Sequence, residues 1–221
     1  MKLTYFNLWA KGPASGLALM HSGLHWEGVN PAAWKEMKPT TPFGELPVLE
    51  VEGLGMIGHE AAILNYIERA NPAKLSDRDF AVSQQLLSEG EDMYQKLVKF
   101  QDTLYAKDKC SKAENDALWS AVDCTVHNRA QGMRVHLLHL ERLAAGGAAG
   151  AYTAAGFSVG ECKLFASLHA IKLIKPDILS EFPAVLAFYN RFHDDAKTQA
   201  FILHGGDERG KFPAAPVQYF V

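Results

Sequence analysis

Apolar positions fall into two regimes along the chain, and the change comes near Pro72. Before it they form short runs punctuated by glycine and proline. After it they recur at three- and four-residue spacing over long stretches. Lys2 to Leu8 alternates and is rich in β-formers, which predicts a first strand with Leu3, Tyr5 and Asn7 on one side and an end at Lys11-Gly12-Pro13. From Pro13 the pattern is helical, with Leu17, Leu19, Met20 and Leu24 as apolar surface and Gly23 as the stop. A short strand follows near Leu24 to Glu27, then a short helix from Pro31 to Lys38 closed by Pro39.

Thr41-Pro42-Phe43-Gly44-Glu45-Leu46-Pro47-Val48-Leu49-Glu50-Val51 begins as a turn and ends as a strand. Pro47 lacks a backbone donor, so it belongs at an edge or in a special turn. One such turn makes the Leu46-Pro47 bond cis and leaves the Leu46 backbone to pair with something outside the sheet, such as a peptide-like ligand. Glu52-Gly53 is a tight-turn signal and predicts a hairpin between Val48–Val51 and Leu54–Ile57. From His59 a helix is predicted, with Ala62, Ile63, Tyr66 and Ile67 on its apolar face and Asn71-Pro72 as its end. The order is β-α-β-α-β-β-α: a parallel unit, a hairpin and a last helix.

Beyond Pro72 strand signals stop. A linker over 73–81 leads to predicted helices from Val82 to Ala106 and from Ala113 to Ala145, then a mobile low-complexity loop, Gly146 to Gly150. Ser158-Val159-Gly160-Glu161 reads as a capping sequence for a helix through Leu164, Leu168 and Ile171. Pro176 and Pro183 punctuate two further segments. The tail from Gly205 to Val221 reads as extended and packed back through Tyr219 and Phe220. The fold class expected is therefore an α/β N-terminal domain over 1–74 and an all-α C-terminal domain over 82–221.

Composition narrows the function classes. With 22 basic and 25 acidic side chains the net charge is −3, which gives no electrostatic reason for nucleic acid or an anionic membrane as main partner. No apolar run has membrane-spanning length, and the first residues lack the apolar region of a signal peptide, so a cytoplasmic protein is expected. Cys110, Cys124 and Cys162 are widely spaced and read as inert free thiols. His136 and His139 lack a third ligand, so no metal is expected.

Lys2-Leu3-Thr4-Tyr5-Phe6-Asn7 together with Pro42 to Val51, followed by an all-helical second half, resembles the cytosolic glutathione transferases, most closely the sigma class. The resemblance implies a thioredoxin-like first domain that binds glutathione as co-substrate, a helical domain that receives a hydrophobic electrophile, and a homodimer. It implies that Tyr5 is catalytic, its hydroxyl donating to the glutathione sulfur. A thiol with a reference pKa of about 8.5 is mostly protonated at neutral pH, so a donor that stabilises the thiolate raises the nucleophile's concentration. It further implies that Trp34 and Lys38 hold the glycyl carboxylate, that Glu45, Leu46 and Pro47 flank the cysteinyl residue with Leu46 pairing by its backbone, and that Asp92, beside Glu91, reaches the γ-glutamyl amine of the partner subunit.

The sequence departs from the family at three places. Lys11 stands for an arginine after the first strand, and a lysine meets a carboxylate without bidentate geometry. The helical domain's usual Ser/Thr-x-x-Asp box is Gly160 to Lys163, or Ser158 to Glu161 two residues earlier. His59-Glu60 occupies the Gln-Ser or Glu-Ser slots whose hydroxyl and amide bind the γ-glutamyl carboxylate. A carboxylate facing a carboxylate there costs on the order of one to a few kcal/mol, enough for about tenfold or more in affinity. The expected function is conjugation of glutathione to hydrophobic electrophiles. The alternative is a catalytically weakened protein that binds hydrophobic ligands or serves as an assembly subunit, and isomerase or peroxidase activity on a lipid is a narrower third reading.

Overall fold

The computed structural model describes residues 1–6, 8–31, 33–99, 112–120, 132–144 and 150–204. Asn7, Cys110, Cys124, the low-complexity residues 146–149, the tail from Gly205 and the middle of the helix expected over 113–145 lie outside the described residues.

The first 70 residues form β1 (Lys2–Thr4), α1 (Gly12–Ser22), β2 (Glu27–Val29), α2 (Trp34–Met37), a 3-10 turn (Lys38–Thr40), β3 (Val48–Val51), β4 (Gly55–Gly58) and α3 (Glu60–Ala70). The sheet order is β2-β1-β3-β4, with β1 parallel to β2 and antiparallel to β3, and β3 antiparallel to β4. This is the parallel unit plus hairpin that the sequence predicts. The main differences are two strand boundaries and one helix face. β1 ends at Thr4 because only Lys2 to Thr4 find partners on both sides. β2 begins at Glu27, not Leu24, because that register sets Leu3 opposite Gly28. On α3 the buried face is Ile63, Leu64 and Ile67, while Ala62 is exposed.

The helical part contains α4 (Asp77–Lys99), α5 (Lys112–Ser120), α6 (Met133–Ala144), α7 (Val159–Ile174), α8 (Pro183–His193) and α9 (Ala196–His204). α7 is the axis of the molecule: every residue from Val159 to Ile171 is buried, and it packs on α4, α1, α8 and α3. Helices that bury their whole circumference need their terminal N–H groups satisfied internally. Here three different residues do it. The Val159 N–H donates to Glu68 Oε2 at 3.2 Å, that of Gly160 to Ser83 Oγ at 3.0 Å, and that of Glu161 to Ser158 Oγ at 3.3 Å. Glu161 closes the capping box by accepting from the Ser158 N–H, so the earlier of the two sequence readings holds. Glu68 lies on α3 and Ser83 on α4, so the start of α7 fastens the helical part to the sheet-bearing part. Cys162, buried in the same turn, has its thiol pushed well up by desolvation, which disfavours the thiolate.

Two buried histidines make the fold acid-sensitive. His21 on α1 stacks on Phe157 at 4.0 Å between centroids and meets Thr198 Oγ1 at 3.0 Å; burial lowers its pKa to about 4 despite Asp195 nearby. His169 on α7 meets the Tyr189 hydroxyl at 2.8 Å and is lowered to about 4, again chiefly by burial. A base whose folded pKa lies below its unfolded value of 6.5 contributes stability that is complete above pH 6.5. That contribution is lost as pH falls from 6.5 through 4. At roughly 1.4 kcal/mol per pKa unit, about 3 kcal/mol per histidine is at stake. Urea midpoints measured from pH 7 to 4 are expected to fall, with a shallower fall in His169→Gln. A flat profile would refute this assignment.

Candidate active site

β4 runs into α3 without a loop, so the chain turns sharply at His59, which adopts φ 63°, ψ 125° and makes no side-chain cap. A non-glycine residue there costs about 1 kcal/mol or more and needs external support. Phe43 supplies it, its ring 4.3 Å from that of His59, and Gly58 makes room: a Cβ on Gly58 would lie 2.9 Å from the Phe43 ring. The 41–47 segment is thereby fixed beside the start of α3. The Leu46-Pro47 bond is cis, as its sequence suggested, and Leu46 and Pro47 lie before β3 in the wall of a cavity of about 500 Å³.

Lys11, Glu45, Leu46, Pro47, His59 and Glu60 line this cavity from the sheet side; Leu87, Glu91 and Gln95 on α4 and Lys163 on α7 line it from the helical side. Of the other predicted residues, Tyr5 is 6% exposed and outside the lining, its ring packed where a Gly12 Cβ would come within 2.9 Å of its own Cβ. Its hydroxyl oxygen accepts the Lys11 backbone N–H at 3.0 Å, so it sits directly behind the cavity wall. Trp34 packs edge-on against Phe6 at 5.6 Å, and Lys38 is exposed with its stem beside Gly44. Neither lines the cavity. Asp92 is exposed on α4, and its neighbour Glu91 is the one that faces the cavity.

The polar end of the cavity is an ion quartet. The Lys163 ammonium, on a residue 2% exposed, donates to Glu60 Oε2 at 2.6 Å and lies 2.8 Å from Glu91 Oε2. Lys11 binds Glu91 Oε1 directly and lies 4.0 Å from Glu60 Oε2. Both ammonium groups also lie over the Tyr94 ring, at 5.0 Å and 5.3 Å from its centroid. The two carboxyls respond oppositely. Burial raises Glu60 above the usual carboxylate range against the pull of Lys163 and Lys11. Burial also pushes Glu91 up, but the Lys163 charge and bonds from Gln95, Lys11 and Lys163 outweigh it and bring it down to about 2.

The quartet corrects one expectation. Glu60 is not a bare carboxylate facing a ligand: it is 6% exposed and held by a lysine from the other half of the molecule. Sequence reasoning missed Lys163 because it treated Gly160 to Lys163 only as a capping variant. The signal was a lone lysine in a run otherwise apolar enough to be buried on all sides. Glu91 became visible only with the fold, through Gly90. A Cβ there would lie 3.2 Å from the Leu164 backbone nitrogen, so glycine lets α4 and α7 approach closely and brings Glu91 to Lys163.

This architecture, a four-stranded thioredoxin-like sheet domain joined to an all-helical domain with a cleft between them, is the glutathione transferase fold. The glutathione S-transferase of Ascaris lumbricoides superposes with a TM-score of 0.74 at 23% identity, over 90% of this chain and 94% of that one. Prostaglandin synthase D of Nilaparvata lugens gives 0.69 at 20% identity over 90% and 95%. By sequence the chain is similar to haematopoietic prostaglandin D synthase of Gallus gallus, 39% identical over 70 residues, and to glutathione S-transferase 1 of Ascaris suum, also 39% over 70. Those matches cover 31% of this chain and only 35% and 34% of the relatives' lengths. No protein family model matches the chain. Among the described residues no helix is long and apolar enough to cross a membrane.

Proposed function

We propose that this protein is a glutathione transferase, sigma-like in its first domain, that adds the glutathione thiolate to hydrophobic electrophiles. The observation that carries the reading is the cavity bounded by the cis Leu46-Pro47 edge and the start of α3, open between sheet and helical parts. Glutathione lies along that edge, its cysteinyl backbone pairing with Leu46 as an added strand does. Trp34 and Lys38 take the glycyl carboxylate. Tyr5 donates to the sulfur and stabilises the thiolate, and the Lys11 N–H that its oxygen accepts fixes the hydroxyl. The protein acts in the cytoplasm as a homodimer, with Asp92 serving the partner subunit's ligand.

Turnover of 1-chloro-2,4-dinitrobenzene with glutathione tests this directly. Tyr5→Phe is expected to lose about 100-fold in kcat/KM at neutral pH, the order of effect of removing one donor to a developing anion. Absence of turnover by the wild type, or an unchanged Tyr5→Phe, would count against it. A second reading, a hydrophobic-ligand binder with little catalysis, draws on Tyr5 standing outside the cavity lining and on Glu60 in place of a hydroxyl residue. Micromolar glutathione binding by calorimetry would exclude it.

A further inference from the structure

We propose that Lys163 is a positioning residue for the acidic end of the bound peptide: it cancels the charge of Glu60 and so frees the N-terminus of α3 to accept a carboxylate. Lys163 acts in this way only with glutathione lying in the cavity as read above, so its role rests on that reading. It gives a residue of the helical part a task at the end of the site that the sheet-bearing part builds.

The donors for that carboxylate come from α3. Its first helical bond runs from the Ile63 N–H to the His59 carbonyl at 3.0 Å, so the N–H groups of Glu60, Ala61 and Ala62 have no acceptor one turn back, and His59 supplies no side-chain cap. Glu60 and Ala61 line the cavity, which sets these donors beside the cis Leu46-Pro47 edge. A helix N-terminus also carries about half a positive charge, which favours an anion. The Glu60 side chain opposes it. A whole negative charge in the first turn outweighs the half charge of the helix end, and a carboxylate only 6% exposed is poorly screened by water.

Lys163 removes that opposition. Its ammonium donates to Glu60 Oε2 at 2.6 Å, against 4.0 Å for Lys11, while Glu60 Oε1 is buried and makes no hydrogen bond among the described residues. Compensation of Glu60 therefore depends first on Lys163. The ammonium is not free to serve the ligand itself. Lys163 is 2% exposed, Glu91 Oε2 holds it from the other side at 2.8 Å, and its stem is packed so closely on α4 that a Cβ on Gly90 would lie 3.0 Å from Lys163 Cγ. Drawing it away would strip two carboxylates at once, which costs more than one new contact returns. It is a fixed charge behind the site. With two ammonium groups against two carboxylates, the quartet is neutral as a whole and leaves the donors of α3 to act on the ligand.

Calorimetry at neutral pH with two thiol peptides tests the role. Glutathione carries an α-carboxylate at its γ-glutamyl end; γ-aminobutyryl-cysteinylglycine keeps the ammonium and lacks that carboxylate. The readout is the ratio of the two affinities, because a general loosening of the fold weakens both peptides and leaves their ratio in place. Wild type is expected to prefer glutathione. In Lys163→Met the preference is expected to fall about 10-fold, as an uncompensated charge comes to face the carboxylate. Glu60→Gln with Lys163→Met removes both charges and is expected to return the ratio to within about 3-fold of wild type, while Glu60→Gln alone raises it about 3-fold or more. A wild-type ratio in Lys163→Met, a double variant as low as Lys163→Met, or a wild type without preference overturns the role of Lys163 and leaves the glutathione reading intact. Binding of neither peptide to wild type at millimolar concentration overturns both. Should Lys163→Met not fold, Glu60→Gln decides: a ratio unchanged or lower than wild type overturns the role.

Discussion

Lys163→Met is expected to destabilise the protein by about 3 to 5 kcal/mol, with a drop in Tm of about 10 °C for a chain of this length. The replacement preserves the stem's volume, so packing changes little. What changes is that Glu60, 6% exposed, loses the cation 2.6 Å from its oxygen, and the remaining one, Lys11, lies at 4.0 Å. A buried ion pair contributes little net stability over an apolar pair because desolvation offsets the attraction, but removing one partner leaves the other's desolvation uncompensated. The double variant Glu60→Gln with Lys163→Met is therefore expected to recover most of the loss. Lys11→Met, on a half-exposed lysine, should cost about 1 kcal/mol or less. Urea and thermal unfolding of the four proteins measure this. A loss under about 1 kcal/mol in Lys163→Met would mean that water reaches the quartet and screens it.

Gly160→Ala is expected to cost about 3 kcal/mol or more and to deplete soluble protein at 37 °C. The new Cβ would overlap the Ser83 carbonyl oxygen and lie 2.8 Å from Ser83 Cα. These are backbone atoms of α4 and cannot rotate aside. Relief requires α4 and α7 to separate, and separation also stretches the Gly160 bond to Ser83 Oγ and the Val159 bond to Glu68. Overpacking alone is worth about 1 to 3 kcal/mol, and two buried N–H groups left poorly paired add about 1 to 3 kcal/mol each. Gly23→Ala is a useful contrast: a Cβ there meets nothing within 4 Å, and only its positive φ of 72° resists, at about 1 kcal/mol. A near-neutral Gly160→Ala would show that the helices slide more easily than their packing suggests.

Much of this molecule could be read from residue order. The alternation of the first strand, the Glu52-Gly53 turn, the Leu46-Pro47 edge and the capping sequence before α7 are local signals, because turns, caps and strand faces depend on neighbours within a few residues. They specified the sheet topology and the class of fold. Element edges were less legible: where β1 stops and β2 starts depends on which partner backbone lies opposite, and the pattern of side chains does not encode that.

The candidate site divides along the same line. Its sheet-side wall, from Glu45 to Pro47 and from His59 to Glu60, lies in contiguous motifs and was visible in the sequence. Its helical-side wall was not. Glu91 and Lys163 meet Glu60 only because Gly90 and Gly160 let α4 and α7 pack at backbone contact, across separations of 31 and 103 residues along the chain. The sequence by itself determined that a carboxylate stands after His59, at the start of α3. Only the tertiary structure decided that this carboxylate is held by a buried lysine, with its other oxygen buried and in no hydrogen bond among the described residues. The reason is that a side chain's charge balance is set by whatever folding brings within about 4 Å of it, whichever part of the chain that comes from.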